Sequence, residues 1–208
     1  IPETGYRNFV VLPVDHSFAQ TVGIHASVQR GIEVWFVDSR GGGVAILRNI
    51  PENLREAQPV FMLTVPALSL NFMKKIVAEM DRRGGLVKAL FEAGIKSGIA
   101  HLGDGTRPPR TLEAALNGLI YRPLKALVLD RVRTQVFGPR AKFFSGGGAS
   151  FDIGQQRFFR ALGMPLYQGY GMTEAAPIIS SNIPEKVKLG TSRSEEHTSE
   201  SSHRIRSR

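Results

Sequence analysis

The 208 residues carry 27 Lys and Arg against 18 Asp and Glu, a formal charge of +9, and 42% of them are apolar. The absence of cysteine excludes disulfides, thiolate zinc sites and a cysteine nucleophile, and fits a reducing compartment such as the cytoplasm. No apolar run is long enough to span a bilayer, while the apolar content suffices for the core of one domain or a large part of one.

Residues 9–14, Phe-Val-Val-Leu-Pro-Val, form an apolar run of strand length. Residues 18–29 have a helical period and residues 32–37 are a second β-rich run, so the three predict a βαβ unit with parallel strands. Gly41-Gly42-Gly43 reads as a loop, followed by a short helix at 52–58, a strand at 60–65 and a helix at 67–83 that stops at Gly84-Gly85. Helices are expected at 86–96 and 111–120 on either side of a turn-rich loop from Gly103 to Pro109. Pro123 should divide the second of these from a helix at 124–137, whose Leu124, Leu127, Val128, Arg131 and Val132 keep a helical spacing. Then come a strand at 141–145, a glycine run, and a helix at 151–162 capped by Asp152 and stopped by Gly163. A strand at 165–168 leads into Gly169-Tyr170-Gly171. The alternation predicts an α/β fold with a largely parallel sheet and flanking helices.

From Arg193 onward apolar periodicity ceases. Residues 193–208 resemble translated sequencing-adapter DNA and read as a non-native, disordered tail, with a natural basic tail as the alternative. Setting aside its four Arg and three Glu leaves +8, so the basic balance belongs to residues 1–192. Such charge favours anionic partners, whether ATP, CoA or a phospholipid surface touched from the cytoplasmic side. The cations are scattered along amphipathic stretches, so no nucleic-acid partner is expected.

The sequence contains no G-x-x-x-x-G-K-[ST], G-x-G-x-x-G, H-E-x-x-H or G-x-S-x-G. Its chemistry gathers at two glycine turns, Gly147-Gly148-Ala149-Ser150 and Gln168-Gly169-Tyr170-Gly171-Met172-Thr173-Glu174. Both follow the carboxyl ends of predicted strands, where open α/β sheets hold their ligands. Glycine lets backbone approach a ligand closely, and a tyrosine ring offers a flat face to a purine. Thr173 carries a hydroxyl donor for phosphate, and Glu174 offers oxygen to a hard cation such as Mg2+.

The stretch Tyr167 to Pro177, with Gly-Tyr-Gly-Met-Thr-Glu inside it, resembles the signature of the adenylate-forming enzymes. Phe158-Phe159-Arg160-Ala161-Leu162-Gly163 and the run to Ser180-Ser181-Asn182 are most similar to their AMP-forming long-chain fatty-acid:CoA ligase branch, the acyl-CoA synthetases. Leu12-Pro13-Val14-Asp15-His16-Ser17-Phe18 resembles the L-P-x-x-H-x-F segment of the same family.

The resemblance implies that residues 1–192 are part of the large N-terminal domain of that fold, incomplete at both ends. A phosphate loop ending in Pro-Lys-Gly would then lie upstream of Ile1, and a ribose-binding aspartate and catalytic lysine downstream, leaving the fragment inactive alone. It further implies that Gly148, Ala149 and Ser150 line one side of the adenine, with Tyr170 packed against it and Gly147 also part of the nucleotide site. Gln168, Gly169, Gly171 and Met172 would complete the nucleotide site, Thr173 would contact the α-phosphate, Glu174 would hold Mg2+, and His16 would place the acyl carboxylate. Two positions depart from the family pattern, Ser150 where proline is usual and Ala67 where many relatives carry arginine. The implied chemistry joins a fatty acid to ATP as an acyl-adenylate and passes the acyl group to CoA. Alternatives are an aryl-acid ligase, an acyl-ACP synthetase, or a non-catalytic nucleotide-binding module.

Overall fold

The computed structural model describes residues 5–175 and 177–192, so the tail expected at 193–208 lies outside the described residues. Six strands run in the order β2-β1-β3-β4-β5-β6. β1 (Arg7–Val10) lies between β2 (Glu33–Phe36) and β3 (Phe61–Thr64), and β4 (Phe143–Gly146) lies between β3 and β5 (Leu166–Tyr170), all parallel. Only β6 (Ser180–Ser181) returns antiparallel, against Gly169 and Tyr170. This is the α/β architecture expected, with each predicted strand present within a few residues of its reading.

The crossover from β1 to β2 is a π-helical segment, Ala19–His25, continuing as α1 (Ala26–Gln29). Asn8, fully buried on β1, donates to Gly23 O at 2.9 Å and to Ser27 Oγ at 3.2 Å, tying this crossover to the sheet. α2 (Gly42–Ala57), α3 (Pro66–Arg83), α4 (Gly85–Leu102), α5 (Leu112–Leu124), α6 (Asp130–Phe137) and α7 (Ile153–Leu162) supply one continuous core with the sheet. At its centre the Phe144 ring meets Phe137 and Phe159 edge-on, each at 5.2 Å between centroids. Such pairs add about 0.5–1.5 kcal/mol each beyond the area they bury. No helix among the described residues is long and apolar enough to cross a membrane.

Two expectations about helices need correction. The glycines at 42 and 43 open α2, which runs through Pro51 to Ala57, in place of the loop and short helix that the local sequence predicts. Ile50, Leu54 and Ala57 are buried in the core, and their packing outweighs the local preference of glycine and proline to break a helix. Pro123 likewise does not divide α5 from α6. A π-helical segment, Lys125–Leu129, joins them, and Asp130 N–H reaches back five residues to Lys125 O. The wider turn rotates the apolar face, so Leu129 is fully buried while Leu127 is 58% exposed.

Tyr121 on α5 donates to Ala161 O on α7 at 2.8 Å, and burial pushes its phenol from 10.0 up to about 12. Because the folded state holds this proton more tightly, the stability it contributes is complete below pH 10 and is lost as pH rises toward 12. Alkaline denaturation is therefore expected to flatten over that window in Tyr121→Phe, as read by fluorescence or circular dichroism. An unchanged pH profile would remove Tyr121 from the account.

Candidate active site

Both glycine turns leave the carboxyl ends of adjacent parallel strands, with Gly146 of β4 opposite Gln168 of β5. The two turns and the start of the first crossover close around a cavity of about 170 Å³. Of the residues singled out from sequence, His16, Gly147, Gly148, Gly169, Tyr170, Gly171, Met172 and Thr173 line it. Ala149 and Ser150 are exposed just beyond on the same turn, and Glu174 stands exposed in the short 3₁₀ turn Thr173–Ala175. A larger cavity of about 710 Å³ lies between α2, α3 and α6 and is lined by Ile50, Phe72, Ile76 and Val132 among others. It contains none of the glycine-turn residues, so the chemistry favours the smaller one.

Gly148 adopts φ +82°, a left-handed conformation that side-chain-bearing residues avoid. Tyr170 is 55% exposed and lines the cavity, so part of its side chain is accessible there to a ligand. His16 stands exposed where the first crossover begins, and its Nδ1 accepts from Phe18 N–H at 3.2 Å. With Nδ1 accepting, the ring proton of the neutral imidazole sits on Nε2, which is left to donate. Glu174 makes no hydrogen bond or ion pair among the described residues. A free, hard carboxylate of this kind fits Mg2+, which commonly takes one or two protein carboxylates and fills its other positions with water and phosphate oxygens. No group of three or more His, Asp or Glu suited to a metal occurs among the described residues.

Gln168 does not face the cavity. Its side chain is buried and its Oε1 accepts from Phe151 N–H at 3.0 Å, so it holds the first turn from beneath. Sequence reasoning overlooked Ser17 and Ile178, which line the cavity. The Ser17 hydroxyl oxygen is buried without a hydrogen-bond partner among the described residues. Ser17 sits at a variable position of the L-P-x-x-H-x-F stretch, which is why the pattern did not single it out.

The sequence pattern of the AMP-binding enzyme family matches residues 3–198. Long chain acyl-CoA synthetase 8 of Arabidopsis thaliana is 30% identical over 118 residues, covering 56% of this chain and 15% of that protein. Long-chain-fatty-acid–CoA ligase 4 of Saccharomyces cerevisiae is 27% identical over 184 residues, covering 88% of this chain and 24% of its own length. The chain thus spans a quarter or less of the curated relatives it matches. Among solved structures, the adenylation and carrier didomain of the carboxylic acid reductase from Segniliparus rugosus, in complex with AMP, superposes with a TM-score of 0.56. That likeness has 18% identity and covers 84% of this chain and 19% of the other. It speaks to the fold, and the pattern match over nearly the whole length speaks to descent. The chain belongs to the AMP-binding enzyme family, the adenylate-forming enzymes.

Proposed function

We propose that the chain contributes the adenine-facing and carboxylate-facing walls of an AMP-forming long-chain fatty-acid:CoA ligase. In the first half-reaction a carboxylate oxygen of the fatty acid attacks the α-phosphorus of ATP and pyrophosphate leaves. In the second, the CoA thiol attacks the acyl carbon and AMP departs. The observation that carries this reading is the convergence of both glycine turns, His16 and Thr173 on one cavity.

Within it, the backbone of Gly147 to Ser150 flanks one face of the adenine and the Tyr170 ring the other. Thr173 Oγ1 donates to the α-phosphate, while His16 Nε2–H orients the acyl carboxylate. Glu174 would hold Mg2+, whose charge offsets that of the phosphates. The protein supplies no covalent nucleophile in this scheme, and its task is placement and electrostatic stabilisation. The long-chain acid rather than an aryl acid is favoured by the relatives from Arabidopsis and yeast.

Pyrophosphate release by the full-length protein tests this. It should require ATP and rise with palmitate but not with benzoate. Release driven by benzoate would shift the reading to an aryl-acid ligase, and AMP binding with no release under any acid would make the protein a nucleotide-binding module. His16→Ala is expected to slow palmitate-dependent release by about 10²-fold through loss of orientation. Its melting temperature should fall little, since the residue is exposed and gives up one capping bond worth about 1 kcal/mol. A normal rate with a clear loss of stability would mean that His16 only starts the helix.

A further inference from the structure

The first glycine turn has little stiffness of its own, because Gly147 and Gly148 restrict the backbone less than any other residue type. Something else must hold it at the cavity. Beneath it lie two carboxamides, Gln156 of α7, fully buried, and Gln168 of β5, 6% exposed. Gln156 Nε2 donates to Phe151 O at 3.0 Å and to Gln168 Oε1 at 3.3 Å. The same Gln168 oxygen accepts from Phe151 N–H. The backbone of Phe151, the residue that ends the turn, is therefore gripped at both its N–H and its C=O.

The other end of Gln156 reaches elsewhere. Its Oε1 accepts from Gly190 N–H at 3.1 Å. The turn containing Gly190 is held in addition by the buried Asn182, which follows β6 and donates to Thr191 O at 2.5 Å. Leu189 N–H in turn donates to Asp104 O at 2.8 Å, and Asp104 is paired with Arg157 of α7. A carboxamide is suited to such a junction, since it donates and accepts at once without bringing net charge into the core.

We propose that Gln156 is a positioning residue for the nucleotide. Acting through Gln168 and Phe151, it sets the height of Gly147 to Ser150 over the cavity and couples that turn to the one at Gly190. This rests on the nucleotide reading above. Gln156 carries no mark in the sequence that separates it from its neighbour Gln155, yet the two differ in what they touch. Gln155 Oε1 accepts from Ser69 Oγ on α3 at 2.9 Å, away from the glycine turn.

That neighbour provides the control. Gln155→Met and Gln156→Met each remove one buried carboxamide from the same helix while keeping length and packing. AMP titrated into the full-length protein, followed by calorimetry, should show a dissociation constant raised about tenfold or more in Gln156→Met. Gln155→Met should stay within about twofold of the unaltered chain even where thermal melts show the two variants equally destabilised. Equal weakening by both, or none by Gln156→Met, overturns the positioning role while leaving the nucleotide site in place. Absence of AMP binding by the unaltered full-length protein sinks the nucleotide reading, and this role with it. Should Gln156→Met fail to fold, Gln168→Met removes the oxygen that joins Gln156 to Phe151 N–H, the link through which Gln156 acts. It should weaken AMP binding in the same way, and AMP binding equal to that of the unaltered chain would overturn the proposal.

Discussion

Glu174→Ala in the full-length protein is expected to lower palmitate-dependent turnover by about 10²–10³-fold while its unfolding free energy stays within about 0.5 kcal/mol of the parent's. The two halves of this expectation come from the same observation. Glu174 is exposed and bonded to nothing among the described residues, so the fold loses no contact when its carboxylate goes. A carboxylate beside a cavity lined by glycine backbone and a threonine hydroxyl, with no structural work of its own, is available for a ligand. Affinity for the fatty acid should change little, because the partner proposed for Glu174 is a cation and not the acyl chain. Glu174→Gln keeps the size and one oxygen but removes the charge, and is expected to fall near the alanine variant. Turnover measured against Mg2+ concentration decides the matter: variants that match the parent at limiting Mg2+ would remove the metal from Glu174.

The two glycine turns were more legible in the sequence than the helices around them. A short apolar run ending in glycine has one economical reading in an α/β protein, a strand whose carboxyl end turns under a ligand, and β4 and β5 follow it. Asp152 accepts from Gln155 N–H at 3.1 Å and Gly163 adopts φ +84°, so the cap and stop of α7 were also local decisions that local residues announced. What stayed hidden was decided at a distance. α2 begins at a pair of glycines and passes through Pro51 because Ile50 and Leu54 reach the core, a fact of packing that no window around residue 42 contains. The π-helical segment at Lys125–Leu129 exchanges Leu127 for Leu129 in the core, which a search at the ordinary helical period misplaces by construction. Gln168 shows the same limit inside the motif itself. Its place in the signature suggested contact with the nucleotide, whereas its side chain points under the turn and holds Phe151.

The sharpest contrast is expected between two glycines of that one motif. In Gly171→Ala the new methyl carbon would lie 1.7 Å from Pro177 O and 2.8 Å from Pro177 C, both backbone atoms that cannot swing aside as a side chain could. The segment it strikes closes the loop between β5 and β6, where Ile179 N–H donates to Tyr170 O at 2.9 Å and Ser180 pairs with Tyr170. Relief therefore requires the loop to open, and Thr173, Pro177 and Ile178 would leave the cavity wall together. Overpacking of this kind costs about 1–3 kcal/mol and often more against backbone. Most of that cost falls on the loop, since the core around Phe137, Phe144 and Phe159 lies on strands and helices it does not touch. Gly169→Ala meets nothing nearer than 3.6 Å and should keep both loop and fold. Amide spectra should show Gly171→Ala losing the β5–β6 pairing and with it detectable AMP binding, while the signals of β1, β3 and β4 persist and Gly169→Ala retains all of them. Retention of AMP binding by Gly171→Ala would mean that the loop packs differently against Gly171, and that the cavity is not the nucleotide site in this geometry.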